Sequence, residues 1–186
     1  MEVTAPGKDK VILGLDPGTS VMGYGIVSVA NNQMSMLQFG VIHLSKYSSH
    51  ELKLRKIFDR VLSLVDDYLP DEVALEAPFY GKNIQSMLKL GRAQGVAMAA
   101  ALSRDLPISE YAPKKVKQSV TGNGNASKEQ VAEMLKTLLS FKEAPKLLDA
   151  TDALAVAVCH HFQGGKTQKS FKSWNAFLTE NPKRLK

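Results

Sequence analysis

The chain has 186 residues, a single cysteine and a net charge of +6. This length suits one domain with a sizeable buried core, and no apolar run approaches the ~20 residues that a membrane-spanning helix needs. Because one cysteine excludes a disulfide within the chain, we expect a cytoplasmic protein that makes no membrane contact.

Three apolar segments open the chain and predict three consecutive strands joined by short turns. The first covers 11–15, ends at Asp16 and is followed by a Pro-Gly turn; the second covers 21–27 and the third 33–44. Runs of Val, Ile and Leu between turn residues are typical of buried strands, and short connections favour antiparallel neighbours. Asp16 then lies at the rim of a sheet, although Asp is also common in turns for conformational reasons alone.

The rest of the chain alternates helical and strand patterns. Apolar residues at helical spacing predict an amphipathic helix over 51–69, and a short apolar strand that begins at Glu72 ends on a second carboxylate, Glu76. The further predicted elements are helices over 83–104, 114–120, 127–139 and 147–162 and a strand over 107–111, with Asn83 and Ser127 as candidate N-caps. Together they predict an α/β fold, with a mixed five-stranded sheet and helices on both faces.

The helix over 83–104 has an unusual face, on which Gly91, Gly95 and Ala99 are four residues apart. Each helical glycine costs ~1 kcal/mol relative to alanine, so close approach of another backbone is the simplest reason for two of them. That backbone belongs either to a second copy of the chain or to the protein's own sheet, and both explanations stay open. Apolar residues flank this face at Met87, Leu88, Val96 and Met98.

Basic charge is concentrated in two parts of the chain. Residues 82–128 carry eight basic and two acidic side chains, and residues 165–186 carry six and one, whereas the other segments are net acidic. Such clustering favours a polyanionic partner, for example nucleic acid. A solvated basic surface with a basic tail is the alternative.

Four carboxylates are expected to converge. Asp16 and Glu76 each end a strand, and Asp149 and Asp152 share one helix face because they are three residues apart. The segment that follows, 153–158, is almost entirely apolar, so Asp152 needs a partner that compensates for its burial. Carboxylate oxygens suit hard divalent cations, and two such ions support in-line attack on a phosphodiester. The four histidines show no zinc-ligand spacing.

Five motifs, taken in order, resemble the RuvC family of Holliday junction resolvases in the ribonuclease H-like superfamily. The motifs occupy residues 13–25, 76–83, 88–96, 116–122 and 149–155, and the match covers about residues 10–163. The resemblance implies a nuclease domain over 1–163 followed by a basic tail over 164–186. It also implies metal-dependent resolution of Holliday junctions, by paired nicking of two symmetric strands, in DNA recombination and repair.

The same resemblance implies roles for individual residues and partners. The catalytic metal ligands would be Asp16, Glu76, Asp149 and Asp152, which would hold two Mg²⁺ ions, with Mn²⁺ as a substitute. The DNA contacts would be Phe79, Lys82, Asn83, Lys117 and Lys128. Phe79 would stack on bases at the crossover, unless it is an ordinary core residue. Expected partners are a four-way DNA junction, a second copy of the chain and the RuvA–RuvB branch-migration complex.

Two other functions fit part of the pattern. An actin-like or sugar-kinase-like ATPase shares the Asp-x-Gly-Thr turn at 16–19 but needs two such domains, for which 186 residues are too few. A protein that binds junctions without cutting them would keep the same fold. The presence of all four carboxylates argues against that second function.

Overall fold

Five strands form a single mixed sheet. In the computed structural model, which describes residues 9–78, 83–141 and 148–164, the strands are β1 (Lys10–Asp16), β2 (Val21–Ala30), β3 (Gln33–His43), β4 (Glu72–Glu76) and β5 (Ile108–Tyr111). Their order in the sheet is β3-β2-β1-β4-β5. β1 to β3 pair antiparallel, whereas β4 is parallel to β1 and β5 is parallel to β4. The predicted meander with added parallel strands is confirmed.

Helices cover both faces of this sheet. They are α1 (His50–Tyr68), α2 (Ile84–Leu102), α3 (Pro113–Thr121), α4 (Lys128–Leu139) and α5 (Leu148–Phe162). Successive strand residues point to opposite faces, so Leu13 packs with α1 and α2 while Ile12 packs with α3, α4 and α5. In the described part of the chain, none of these helices is long and apolar enough to cross a membrane.

Local signals set most element boundaries where the sequence predicts them. The Asn83 side chain accepts a hydrogen bond from the Ser86 backbone N–H at 3.0 Å, and Ser127 and Gln130 form a reciprocal capping box. The largest difference is in β2, which is predicted to end at residue 27 but continues to Ala30. It continues because β3 pairs with it along its whole length.

The small-residue face of α2 lies on the outside of the protein. Gly91, Gly95 and Ala99 are exposed, and a Cβ added at either glycine would meet no neighbouring atom of the described residues within 4 Å. The helix instead turns a row of alanines into the core, namely Ala93, Ala97, Ala100 and Ala101. The alternative that the small-residue face packs on the protein's own sheet is therefore wrong.

The polar groups near the end of α5 belong to the core. His160 is fully buried, with Nε2 against the Glu72 carboxylate and Nδ1 2.7 Å from the Tyr111 hydroxyl. Burial lowers the pKa of His160, although the neighbouring Glu72 acts in the opposite direction. Cys159 is also buried, 3.3 Å from the Ser119 hydroxyl. These contacts give both residues a structural role.

Candidate metal and active site

The sheet brings Asp16 and Glu76 to the same edge. β1 and β4 are parallel and pair Leu15 with Leu75, so the next residue of each strand is a carboxylate at the same level. Both carboxylates line one recess, together with Leu90 of α2 and residues that follow the two strands. The prediction that these strand ends lie side by side is confirmed.

Two glycines let α5 lie directly on the sheet and deliver the other carboxylates. A Cβ at Gly14 would be 2.2 Å from the Ala153 carbonyl oxygen, and one at Gly23 would be 2.0 Å from the Asp149 carbonyl oxygen. A larger residue fits at neither position unless α5 moves, because Cβ atoms essentially never come within 3.0 Å of a heavy atom that is not part of their own or a neighbouring residue. Since Gly23 pairs with Asp16 between β1 and β2, the first turn of α5 lies beside Asp16.

Three of the predicted carboxylates form a tight cluster. Ligand oxygens of Asp16, Asp149 and Asp152 all lie within 4.8 Å of one another. Glu76 lies outside this group of three but close enough for its charge to raise the pKa of Asp16. The side chains of Asp149 and Asp152 are 46% and 17% exposed, so an ion can reach the cluster from solvent.

Burial, and after it the crowding of negative charge, raises the pKa values of the two strand-end carboxyls. Burial, followed by the charges of Glu76 and Asp152, raises the pKa of Asp16 to about 8. Burial and the charge of Asp152 raise the pKa of Glu76 to about 7. Both groups are therefore hard to ionise without added positive charge. An all-oxygen donor set under this repulsion fits a hard divalent cation.

Lys128 brings a positive charge into contact with the cluster. Its ammonium binds the Asp152 carboxylate and lies 4.0 Å from Asp149 Oδ1. Burial acts to lower the pKa of Lys128, but the hydrogen bond to Asp152 and the nearby carboxylates outweigh it and raise the pKa. The family resemblance implies a DNA contact for Lys128, but the sequence gives no sign of this ion pair, because no local pattern links α4 to α5.

Of the other predicted DNA contacts, Lys117 and Asn83 lie within the described residues. The Lys117 ammonium donates to the Ala126 carbonyl at 2.8 Å and is close enough to act on the pKa of Glu76, so it lies near the cluster. Asn83 is exposed and caps α2. Phe79 and Lys82, like the tail beyond Gly164, lie outside the described residues.

Gln94 is a polar member of the recess that was not predicted from the sequence. It lines the recess with Asp16 and Glu76, is buried, and its amide donates to the Glu110 carboxylate. A signal was present, because Gln94 is a polar residue among the alanines of the core-facing side of α2. Buried amides need partners, and Glu110 supplies one for Gln94 at the edge of the site.

Comparisons with known proteins agree on one family. The family model described as "Crossover junction endodeoxyribonuclease RuvC" matches residues 12–160. A protein of that name from Cytophaga hutchinsonii is 65% identical over 178 residues, which cover 96% of this chain and 89% of the relative. Another, from Christiangramia forsetii, is 58% identical and covers 96% of this chain and 94% of the relative.

A solved structure gives the same result. The structure titled "T. thermophilus RuvC in complex with Holliday junction substrate" superposes with a TM-score of 0.78 at 33% identity, over 83% of this chain and 94% of that one. All four carboxylates lie within the residues that the family model matches.

Asp16→Asn should stabilise the metal-free protein, and more so at pH 8 than at pH 5. The pKa of Asp16 is raised from 3.8 to about 8, so between these values the folded state holds a proton that the unfolded chain has lost. Stability of the unmodified protein therefore falls as pH rises through this range, and asparagine, which carries no charge, removes that loss. Thermal unfolding in EDTA at the two pH values measures the difference.

Asp59→Asn serves as the matched control, because Asp59 is an exposed carboxylate of α1. Its pH dependence should equal that of the unmodified protein. An Asp16→Asn gain of the same size at both pH values would contradict the assignment of Asp16 as a carboxyl whose pKa is raised by burial and by the neighbouring carboxylates.

Proposed function

The chain belongs to the RuvC family of crossover junction endodeoxyribonucleases, and from this membership we propose that it cuts four-way DNA junctions by hydrolysing phosphodiester bonds. The observation that carries the proposal is the cluster of Asp16, Asp149 and Asp152 within 4.8 Å of one another. It lies on the ribonuclease H-like mixed sheet that the chain shares with the T. thermophilus protein, whose title names a Holliday junction as its substrate. We propose the same substrate here.

We propose Mg²⁺ as the ion bound at the cluster, with Asp16, Asp149 and Asp152 as ligands and Glu76 completing the set. The donors fit, since all are carboxylate oxygens and the repulsion that raises the pKa of Asp16 would be relieved by a divalent cation. When bound, Mg²⁺ would supply a Lewis acid for the scissile phosphate and for the attacking water. Two ions per site, and Mn²⁺ as a substitute, belong to the same proposal.

Lys128 would change partner when the cation is bound. Its ammonium neutralises Asp152 in the structure. A cation on Asp152 would weaken that attraction and leave Lys128 free to bind a phosphate oxygen near the cut. Lys117, held close to Glu76 by its bond to Ala126, would add positive charge on the same side of the DNA strand.

The segment after Glu76 would meet the crossover. Phe79 would stack on a base, and Lys82 and Asn83 would contact the strand. The tail over 165–186 carries six basic residues and lies beyond the residues that the family model matches, so we propose it as an accessory DNA-binding segment. Cooperation with the RuvA–RuvB branch-migration complex belongs to the same proposal.

Two copies of the chain would associate through the exposed face of α2. That face carries Ile84, Leu88, Gly91, Gly95, Ala99 and Leu102. Ile84 and Leu88 are 72% and 51% exposed, and adjacent exposed apolar side chains of this size mark interaction surfaces. The glycines permit close approach of a second helix. A two-fold dimer would present one carboxylate cluster to each of two symmetric strands.

Asp16→Asn tests the proposed reaction on a synthetic four-way junction. Loss of a ligand carboxylate should reduce Mg²⁺-dependent cutting by ~100-fold or more. Junction affinity in EDTA should stay the same or rise, because an anion near the DNA is removed. Gel analysis of the cut strands and a binding titration measure the two effects.

Asp59→Asn, which removes an exposed carboxylate, should cut like the unmodified protein. Cutting by Asp16→Asn at the unmodified rate would overturn the carboxylate assignment. An unmodified protein that binds the junction but cuts it with neither Mg²⁺ nor Mn²⁺ would support the binding-only alternative.

Lys128→Ala and Lys117→Ala should each reduce cutting by ~10-fold or more while affinity falls by less, since both groups act near the developing charge. The control Lys136→Ala removes a lysine of the same helix as Lys128 that pairs with Glu133, and it should leave the rate unchanged. Single-turnover rates and equilibrium affinities separate the two quantities. Equal losses of rate and affinity would show that the lysines only bind DNA.

Gly95→Glu should give a folded monomer, because the position is exposed in a single chain and the charge would be buried only between two copies. Such a monomer should bind junctions weakly and lose paired cutting of the two strands. Thr137→Glu, at an exposed position of α4, is the control. Sedimentation measures the mass, and a monomeric unmodified protein at concentrations where it resolves junctions would contradict the dimer.

A further inference from the structure

A second recess, rich in hydrogen-bond donors, adjoins the candidate active site. We name it the donor recess, and it is lined by Thr19, Ser20, Ser48, His50, Lys53, Ser86 and Lys89. Each of these side chains can donate a hydrogen bond, two of them carry an ammonium group, and none of the seven is acidic. This set of groups is suited to an anion with several oxygen acceptors.

Four segments of the fold build the donor recess. They are the turn between β1 and β2, the loop before α1, the first turn of α1 and the first two turns of α2. The Lys53 ammonium donates to the Thr19 carbonyl at 3.4 Å, which holds α1 against the turn. Glu51, the acidic residue in the first turn of α1, is exposed, bonds to Ser49 and interacts electrostatically with His50, but it is not among the residues that line the recess.

The lysines of the donor recess keep their charge available. Lys89 is exposed and Lys53 is half-buried. Within the described ranges, the ion pairs of the protein involve neither of them. Two ammonium groups in one recess, neither paired with an acidic residue of the described ranges, attract an anionic ligand.

His50 adds an independent observation. Its Nε2 is buried, and no group in the described part of the chain forms a hydrogen bond with it. Leaving such an atom unpaired is unfavourable. A phosphate oxygen in the donor recess would accept a hydrogen bond from this nitrogen and remove that cost.

The donor recess and the carboxylate cluster lie on the same two elements. Asp16 and Thr19 belong to one turn, and because consecutive Cα atoms are 3.8 Å apart, theirs are at most ~11 Å apart. On α2, Leu90 lines the active-site recess and Lys89 lines the donor recess. A nucleic-acid strand rises ~3.4 Å per nucleotide. A strand cut at Asp16 would thus pass the donor recess within about three nucleotides.

We propose that the donor recess binds a backbone phosphate of the DNA strand that is cut, a few nucleotides from the scissile phosphate. This inference rests on the proposed function. Hydroxyl and ammonium groups recognise a phosphate without reading the base. The contact therefore fixes the position of the strand and presents its scissile phosphate to the carboxylates.

The double variant Lys53→Gln/Lys89→Gln tests the contact by junction binding, in an Asp16→Asn background that keeps the substrate uncut. The slope of log affinity against log salt concentration should fall by about 0.9, because one phosphate no longer has a cationic partner. The matched control Arg55→Gln/Lys136→Gln removes two positive charges outside the donor recess and should keep the slope. An unchanged slope in the recess variant would overturn the inference.

Neutral methylphosphonates, placed one at a time within four nucleotides of the cut, locate the phosphate. At one position the substitution should weaken binding by the Asp16→Asn protein ~10-fold and leave binding by the recess variant unchanged, because the variant already lacks the ammonium groups that bind this phosphate. Equal sensitivity of the two proteins at every position would also overturn the inference.

His50→Leu separates a binding role from a structural one. Because Nε2 forms no hydrogen bond within the described part of the free protein, leucine should keep or raise the melting temperature while junction affinity falls. A lower melting temperature with unchanged affinity would assign His50 to the core and contradict the inference.

These experiments also separate this inference from the proposed function. If the unmodified protein binds junctions and every recess variant behaves like its control, this inference alone is overturned. Failure of the unmodified protein to bind or cut junctions would overturn the proposed function as well.

Discussion

Direct contact between the α5 backbone and the sheet is the constraint on which the site depends. Strand pairing alone places Asp16 beside Glu76, but Asp149 and Asp152 arrive only because Gly14 and Gly23 leave room for the helix. Any side chain at either glycine would push α5 outward and separate its carboxylates from those of the strands. The close packing of α5 on the sheet therefore both completes the core and brings the carboxylates together.

The carboxylate cluster lowers the stability of the metal-free protein, and a bound cation would reverse this loss. Asp16 would carry its charge against a pKa raised to about 8, and Lys128 compensates mainly at Asp152. A cation that binds the folded state and not the unfolded chain stabilises the fold by mass action. In the proposed mechanism, relief of this repulsion would contribute to the affinity for a divalent ion, and the Lys128 ammonium would then be available to bind DNA.

Features that depend on residues close together in the chain could be predicted from the sequence. Contacts between residues far apart in the chain could not. The capping box at Ser127 and the strand-end carboxylates are local patterns, so the elements and the acidic members of the site could be predicted. The ion pair of Lys128 with Asp152 joins separate helices, and only the packing of α4 on α5 reveals it. The orientation of α2 was equally hidden, because Gly95 on the outside and Ala97 in the core are both small and apolar.

Binding of Mn²⁺ to Gly23→Ala, followed by electron paramagnetic resonance, tests most directly whether close packing of α5 builds the site. If it does, the variant should keep its circular dichroism spectrum, lose ~1–3 kcal/mol of unfolding free energy through overpacking and bind Mn²⁺ at least ~10-fold more weakly. Ser28→Ala, on the same strand, should match the unmodified protein. A Gly23→Ala protein with unmodified stability and Mn²⁺ affinity would contradict this origin of the site.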